Sequence, residues 1–414
     1  MHISTKSVLI AALALATTVS TSLAPRNSIA GAVYFLTNDP SGNKVVSVSI
    51  SADGLVGPTV HASSTEGRGL RGMTDPPNSA DALFSQGSVA VNSNARLLAA
   101  VNAGSNTVSL FSINPDDPTR LTLLGRPVPS GGDFPQSVAI NSRGTDVCVL
   151  NGGKVNGVNC YATHPIFGLL PRANSIRLLN RNQTNPPSGP LGSLSSIIFS
   201  PDDSRLLAAV KGTPTAPGFI ATWAVGFDGL LSSQYGKSTP APGGGVPFSL
   251  TPIPGTNAYI ATDAALGFDI FNFASSNNRN STLEAASSTV TAIPGQGALC
   301  WSTYSSKSGN FYLIDTMTDI VSEVQVDGNL NGSLVKQYQL AAGSAILDAE
   351  VATVNHNDFL YVLSAIAASI DVLSVSTPGK AKSVQTFPFT SAAKQAGATF
   401  TNINLQGLAT YIKN

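Results

Sequence analysis

Charged residues are scarce in this chain of 414 residues. Lysine, arginine, aspartate and glutamate together make up 11% of it, against about 25% in typical soluble proteins. The formal net charge is zero, and no run of lysine or arginine occurs. Proteins that bind nucleic acid need a basic surface, so the composition argues against that class of partner. Turn-forming glycine, serine, asparagine and proline take the place of the missing charges.

Cysteine and histidine are also rare, with three and four residues. No two histidines have the spacing of metal ligands, so we expect no metal site and no cofactor. Cys148 and Cys160 lie in consecutive predicted strands, equally far from Lys154 in the turn between them. Antiparallel pairing would place them opposite each other, and an oxidising compartment would favour a disulfide; two free thiols are the alternative. Cys300 has no partner left, and we expect it to be a buried thiol.

Long apolar runs are missing too. The apolar segment Val8–Ala16 is too short to cross a bilayer, so no membrane span is expected. It follows Lys6 and precedes small residues up to Ala24, which is the pattern of a secretory signal peptide over residues 1–24. A buried N-terminal helix is the alternative. The signal predicts a secreted protein, and three sequons for N-glycosylation agree with export; they begin at Asn182, Asn280 and Asn331.

What the chain does contain is a repeat. A short apolar strand, a Gly/Asn-rich turn and a second apolar strand recur at intervals of about fifty residues, which is typical of a β-propeller. The first strands of these pairs are Val33–Leu36, Leu97–Ala100, Val147–Leu150, Leu206–Ala209, Ala258–Ala261, Phe311–Ile314 and Phe359–Val362. The first repeat lacks an inner strand, while residues 403–411 form a spare one at the C-terminus. We therefore predict an all-β fold, a single seven-bladed domain over 31–414, closed by pairing of the C-terminal strand with the N-terminal blade.

Several segments carry a resemblance to a known group of proteins. They are 182–190 (NQTNPPSGP), 199–203 (FSPDD), 210–212 (VKG), 252–256 (PIPGT), 267–271 (GFDIF) and 296–302 (QGALCWS). Together they resemble segments of secreted fungal proteins of the 3-carboxymuconate cyclase-like group. That group belongs with the lactonase superfamily of seven-bladed propellers, which also holds the 6-phosphogluconolactonases. The resemblance extends over nearly the whole mature chain.

The resemblance implies enzymes that open or close a lactone ring, which requires an acid/base group and cations that hold the substrate. In that superfamily a Pro-His pair typically enters an inner strand, and a glutamate ends a second strand. Here Gln136 follows Pro135 and Lys211 follows Val210, so both acid/base groups are replaced. A shared fold does not by itself imply that this protein has the activity of those enzymes. We expect an extracellular or cell-wall protein that acts by binding or adhesion; a lactonase or lactonizing cycloisomerase acting on a small carboxylated substrate is the alternative.

Ligand binding is expected at one mouth of the central channel, where the loops into the inner strands and the turns between the middle strands meet. Glutamines recur at the inner-strand entrances, and a lysine and two aspartates follow middle strands. The alternative is that these side chains only bond to neighbouring loops or stabilise turns. The candidate partners are a glycan, an extracellular matrix protein or a small carboxylated molecule, and a monomer is expected. The candidate ligand-binding residues are Gln86, Gln136, Lys211, Asp263, Gln296 and Asp315.

Overall fold

The structure is a computed structural model that describes residues 29–74, 76–77, 79–273 and 286–413. The predicted signal peptide and the sequon at Asn280 lie outside the described residues. Nearly all regular structure in the described ranges consists of short strands, as the turn-rich repeat predicts.

The strands follow one another in pairs separated by tight turns. In the first half they are β1 (Ile29–Leu36), β2 (Lys44–Ser51), β3 (Val56–Ser64), β4 (Met73–Thr74), β5 (Val89–Asn92), β6 (Leu97–Asn102), β7 (Thr107–Ile113), β8 (Leu121–Leu123), β9 (Val128–Pro129), β10 (Pro135–Ile140), β11 (Asp146–Asn151), β12 (Gly157–His164), β13 (Gly168–Pro171), β14 (Arg177–Leu178), β15 (Ser188–Gly189), β16 (Leu194–Phe199), β17 (Arg205–Val210), β18 (Phe219–Ala224) and β19 (Gly236–Ser238). In the second half they are β20 (Thr251–Pro252), β21 (Ala258–Asp263), β22 (Gly267–Asn272), β23 (Ser287–Ala292), β24 (Leu299–Tyr304), β25 (Phe311–Asp315), β26 (Ile320–Val326), β27 (Gly332–Gln339), β28 (Ile346–Val354), β29 (Asn357–Ser364), β30 (Ser369–Ser374), β31 (Lys382–Pro388), the helix α1 (Thr390–Gln395) and β32 (Gln406–Ile412).

Seven antiparallel sheets, the blades, contain most of these strands. From the inner to the outer strand, blades 1 to 7 are β32-β1-β2-β3, β5-β6-β7-β8, β10-β11-β12-β13, β16-β17-β18-β19, β20-β21-β22-β23, β24-β25-β26-β27 and β28-β29-β30-β31. The first strands of successive blades contact one another and so form the inside of a ring. The short strands β9 and β14 extend blades 2 and 3, and β4 pairs in parallel with β15.

Ring closure follows the sequence prediction. Strand β32 pairs antiparallel with β1, and Ala32 lies opposite Tyr411. This pairing gives blade 1 its inner strand and covers the edge of β1, which would otherwise expose unpaired backbone groups. The C-terminal strand begins later than the alternation suggests, because Asn402–Asn404 form a 3₁₀ turn ahead of it.

The core lies between the blades. Alternate side chains of each strand point to opposite faces of its blade, so every blade packs against both neighbours. Buried hydrophobic side chains form five clusters between adjacent blades. Trp223 and Trp301 are both fully buried in these clusters, which agrees with a packing role.

The predicted disulfide is present. Cys148 on β11 lies directly opposite Cys160 on β12, and their sulfurs are bonded. The turn centred on Lys154 sets this register. Cys300 is a free, buried cysteine. Within the described ranges, no helix has the length and hydrophobicity needed to span a bilayer.

Candidate functional site

One end of the channel is closed by the chain itself. We define the upper face as the one that carries the loops into the inner strands and the turns between the two middle strands of each blade. The long loop between blades 1 and 2 ends in the segment 81–87, which we call the plug. Hydrogen bonds join the plug to blades on all sides of the ring, so it lies across the upper mouth.

The backbone and glutamine of the plug bond to inner strands. Each inner strand is the edge of its sheet, so part of its N–H and C=O groups face the channel without a sheet partner. The Gln86 backbone N–H donates to the Ser195 carbonyl in blade 4 at 3.0 Å. The Gln86 side-chain Nε2 donates to the Ser302 carbonyl in blade 6 at 2.9 Å, and the Gly87 N–H donates to Asp348 Oδ2 in blade 7 at 3.1 Å. The plug thus satisfies edge groups at the upper end of the channel.

Further bonds anchor the middle of the plug. Ser85 Oγ donates to the Gln136 carbonyl in blade 3 at 2.6 Å, and the Trp301 indole N–H in blade 6 donates to the Ser85 carbonyl at 3.1 Å. Asp81 and Phe84 both have left-handed backbones, with φ of +67° and +56°. Such conformations cost on the order of 1 kcal/mol each for non-glycine residues, and the surrounding contacts must offset this cost.

Lys211 is buried beneath the plug, with 1% of its side chain exposed. Its Nζ donates to the Phe84 carbonyl at 2.5 Å and to the Leu194 carbonyl at 3.0 Å. The ammonium also lies 4.4 Å from the centre of the Phe248 ring. Burial lowers the pKa of Lys211, and the Asp81 carboxylate opposes this effect. Burial likewise raises the pKa of Asp81, and the attraction of Lys211 opposes it, so the two buried charges attract each other without a direct contact, and the two hydrogen bonds of Nζ link plug and blade 4.

Gln136 is fully buried on β10 beside the same network. Its Nε2 donates to the Leu194 carbonyl at 2.5 Å, whereas its Oε1 has no hydrogen-bond partner among the described residues. Gly152 lies against this oxygen so closely that a Cβ there would be 1.5 Å away. Gln136 is therefore packed on every side and cannot reach a ligand without a rearrangement of the plug.

The remaining candidates stabilise turns or bond to neighbouring loops. Asp263 accepts hydrogen bonds from the N–H groups of Gly245 and Val246, at 2.5 and 2.9 Å. Asp315 accepts four backbone N–H bonds from the residues around it, those of Gly297, Ala298, Met317 and Thr318. Gln296 donates to the Ala264 carbonyl at 3.4 Å and accepts from the Leu299 N–H at 3.1 Å.

The structure thus brings Gln86, Gln136 and Lys211 together around the plug and places Asp263, Gln296 and Asp315 in the surrounding loops. A ligand-binding role for any of them stays a prediction. In the described part of the chain, no group of three or more His, Cys, Asp or Glu side chains is arranged to hold a metal ion.

A cavity of about 430 Å³ occupies the channel below the plug. Gln86 and Gly87 form its upper end, and residues from the inner strands of all seven blades form its walls. Ser142, Pro201 and Asp203 lie at its lower rim, in turns between the first two strands of blades 3 and 4. Its size is within the range of small-molecule sites, about 300–1,000 Å³. The open end of the channel is thus the one opposite the predicted face.

Two carboxyl groups in this cavity are not among the candidate residues predicted from the sequence. Asp348 and Glu350 are two residues apart on β28, and both line the cavity, Asp348 from a bulge between Ile346 and Ala349. Burial raises the pKa of Asp348 to about 7, against the hydrogen bonds it accepts. Burial and the nearby Asp348 charge raise the pKa of Glu350 to about 8. The alternation of acids with apolar residues at 346–352 is the local signal that could have identified them.

The two sequons inside the described ranges are accessible. Asn182 and Asn331 are both exposed, as a glycosylated asparagine must be. Asn182 lies in the long loop before blade 4, and Asn331 lies in the turn between β26 and β27.

Comparisons with known proteins identify the fold. No protein-family model and no curated protein match the sequence. Among solved structures, a proposed 6-phosphogluconolactonase of Bacteroides fragilis has a TM-score of 0.63 at 15% identity, over 94% of this chain and 99% of its own. The periplasmic gluconolactonase PpgL of Pseudomonas aeruginosa has a TM-score of 0.59 at 15% identity, over 86% of this chain and 96% of its own.

The fold is that of a lactonase-like seven-bladed propeller. A proposed 6-phosphogluconolactonase of Bacteroides uniformis supports the same statement, with a TM-score of 0.58 at 14% identity over 86% of this chain and 96% of its own. At such low identity the likeness concerns the fold alone, and the activity has to be argued from the site.

Proposed function

We propose that this protein is a secreted, N-glycosylated propeller of the extracellular space or cell wall that acts by binding or adhesion, without catalysis. The plug is the observation that carries this proposal. It fills the upper mouth, and it is bonded to Lys211 and to the backbone of Gln136, the two residues that stand where the resembling enzymes keep a glutamate and a histidine. Neither a buried amide nor a lysine held by two carbonyls is available to exchange a proton with a substrate.

Export has independent support in the chain. The segment 1–24 has the pattern of a signal peptide, a disulfide joins Cys148 to Cys160, and two sequons lie on exposed surface. Disulfides persist mainly in oxidising compartments. The likeness to secreted fungal 3-carboxymuconate cyclase-like proteins agrees with an extracellular role, for which a glycan or a matrix protein is the expected partner.

A turnover assay tests the proposal. The mature protein, from residue 25, would be incubated with gluconolactone, 6-phosphogluconolactone and 3-carboxymuconate and then applied to an array of glycans and matrix proteins. We expect no turnover above the uncatalysed rate and retention of specific glycans or matrix proteins. Turnover that disappears in a folded Lys211→Ala or Gln136→Ala variant would show that the plugged site is catalytic and would overturn the proposal.

A second candidate is a lactonase or lactonizing cycloisomerase acting on a small carboxylated substrate. The lactonase-like neighbours and the carboxyl pair below the plug favour it, because an acid with a pKa near 7 or 8 can exchange protons at neutral pH. However, no Lys, Arg or His is among the described residues that line this cavity. The carboxylate of a bound substrate would therefore have only acidic side chains as charged neighbours. Turnover that is lost in Glu350→Gln but kept in Lys211→Ala would support this candidate.

A further inference from the structure

The cavity below the plug opens at its lower end, as far as the described residues show. Its upper end is closed by Gln86 and Gly87, which are bonded to blades 4, 6 and 7. Its lower rim includes Ser142 and Pro201, both exposed on the lower face. The rim residues also line a second cavity of about 560 Å³ between blades 3 and 4, so a shallow groove leads to the entrance. The lower face therefore offers a ligand a route into this pocket.

The walls of the pocket carry charge of only one sign. Its ionisable lining residues are Asp203, Asp348 and Glu350, and no cationic side chain lines it within the described ranges. Asp203 at the rim is paired outward with Arg143 at 3.9 Å. The two inner acids therefore dominate the charge of the pocket, which disfavours an anionic ligand and favours a cationic one.

The two inner acids, Asp348 and Glu350, should lose protons when a cation binds next to them. Asp348 accepts the Gly87 N–H at 3.1 Å, whereas Glu350 remains partly exposed to the cavity. Burial raises the pKa values of both groups; the charge of Asp81 adds to this for Asp348, and the charge of Asp348 adds to it for Glu350. A positive charge next to them favours the deprotonated forms and so lowers these pKa values again.

An aromatic ring and aliphatic walls complete the pocket. The Phe199 ring is partly exposed and lines the same cavity as Glu350, and an aromatic face attracts a cation. The remaining walls are formed largely by aliphatic residues such as Val91, Ile140 and Leu250. This combination suits an ammonium group attached to a short hydrocarbon body.

We propose that the channel below the plug binds a primary alkylammonium compound, with its ammonium group at Asp348 and Glu350 and its hydrocarbon part along the aliphatic walls. The proposal deepens the binding function given above and rests on it. It assigns the ligand site to the lower half of the channel and leaves the plugged upper mouth as a structural closure.

Calorimetric titration tests this proposal. The mature protein would be titrated with n-butylammonium, and with n-butanol and butyrate as neutral and anionic analogues of the same size. We expect binding of the ammonium compound alone. Its affinity should rise between pH 6 and pH 8, by up to about tenfold per pH unit for each proton released. Titration in phosphate and in HEPES would measure that proton release.

Matched variants identify the residues. Glu350→Gln should weaken n-butylammonium binding at least about tenfold at pH 8, where a unit of charge is lost at the site, and should reduce the pH dependence. Glu66→Gln makes the same chemical change on the exposed upper face and should leave binding unchanged. Circular dichroism would verify that both variants are folded.

The outcomes separate this inference from the proposed function. Absence of n-butylammonium binding, equal binding of butanol or butyrate, or unchanged binding in Glu350→Gln would overturn the inference, even if no lactone is turned over. Turnover of a lactone that depends on Glu350 would overturn the proposed function instead, because the same cavity would then be catalytic.

Discussion

The buried ammonium group of Lys211 should decide whether the plug stays closed. The perturbation is Lys211→Met, because methionine has a similar length, fills the same space and carries neither charge nor donor. The change removes two hydrogen bonds, from Nζ to the carbonyls of Phe84 and Leu194. It also leaves Asp81 buried without its opposite charge.

The magnitude follows from these losses. A hydrogen bond from a charged donor contributes about 1.5–3 kcal/mol, and Lys211 Nζ makes two of them. Since Lys211 is 1% exposed, solvent cannot replace the lost partners without opening the plug. We therefore expect Lys211→Met to lower the free energy of unfolding by about 3–5 kcal/mol, chiefly through the two lost hydrogen bonds. Combined with Asp81→Asn, the total loss should be smaller than the sum of the single losses by about 1–3 kcal/mol.

The assay is guanidinium denaturation at pH 7 with two probes. In a Trp223→Phe background, tryptophan fluorescence reports on the plug, because the remaining Trp301 indole donates to the Ser85 carbonyl at 3.1 Å. Circular dichroism reports on all blades together. In Lys211→Met the fluorescence transition should precede the dichroism transition, because the plug opens locally before the ring unfolds.

Two results would refute the reasoning. Strictly additive losses in the double variant would mean that Lys211 and Asp81 do not interact. A loss below about 1 kcal/mol in Lys211→Met would mean that the plug does not depend on this contact.

Three further predictions concern residues outside the plug. Asp269→Asn should stabilise the protein at pH 7, because burial and the neighbouring Asp263 carboxylate raise the pKa of Asp269 to about 9. The folded-state pKa of Asp269 lies above the unfolded value, so the wild-type protein loses stability as the pH rises from about 4 to 9, by up to about 1.4 kcal/mol per pH unit. Urea denaturation at several pH values in that range should show that the free energy of unfolding of the variant depends less on pH. Cys148 and Cys160 are 12 positions apart in the sequence. Replacing both by serine should lower the free energy of unfolding by about 3 kcal/mol in the same assay, because the disulfide no longer restricts the unfolded chain. Gly152→Ala should cost about 1–3 kcal/mol, because its Cβ would lie 1.5 Å from Gln136 Oε1.

Each of these predictions has a control. Profiles of equal slope for Asp269→Asn and wild type would show that this carboxyl does not titrate abnormally. Reduction of the wild-type disulfide should reproduce the loss seen in the serine variant, and equal stability of the two forms would contradict the estimate. Gly245→Ala is the control for Gly152→Ala, since a Cβ at Gly245 would meet nothing within 4 Å.

Much of the fold was predictable because it depends on local patterns. Strand alternation has a period of two residues, and glycine or asparagine marks each turn, so the repeat predicts seven blades. The spare strand near the C-terminus and the missing inner strand of blade 1 together predict the closure through β32. The turn centred on Lys154 sets the register that joins Cys148 to Cys160.

The plug was not predictable, although the sequence marks its loop as an insertion. Its bonds connect residues far apart in the chain: Gln406 reaches Asp81 over 325 positions, and Lys211 reaches Phe84 over 127. No periodicity relates such residues, because a surface loop follows the shape of the ring it covers and not its own strand propensity. The sequence could predict that Gln136 and Lys211 lie near a mouth of the central channel. It could not show that the plug fills that mouth.

The sequence by itself determined the seven blades, their closure and the disulfide, since neighbouring residues carry the strand, turn and register signals. Only the tertiary structure decided which end of the channel is open and which polar groups face it. Asp348 and Glu350 are close in sequence, but they become the charged wall of a pocket only when seven inner strands surround them and the plug closes the other end. The reason is physical: hydrogen bonding within a strand pair is local, whereas the channel exists only between blades that are distant in sequence.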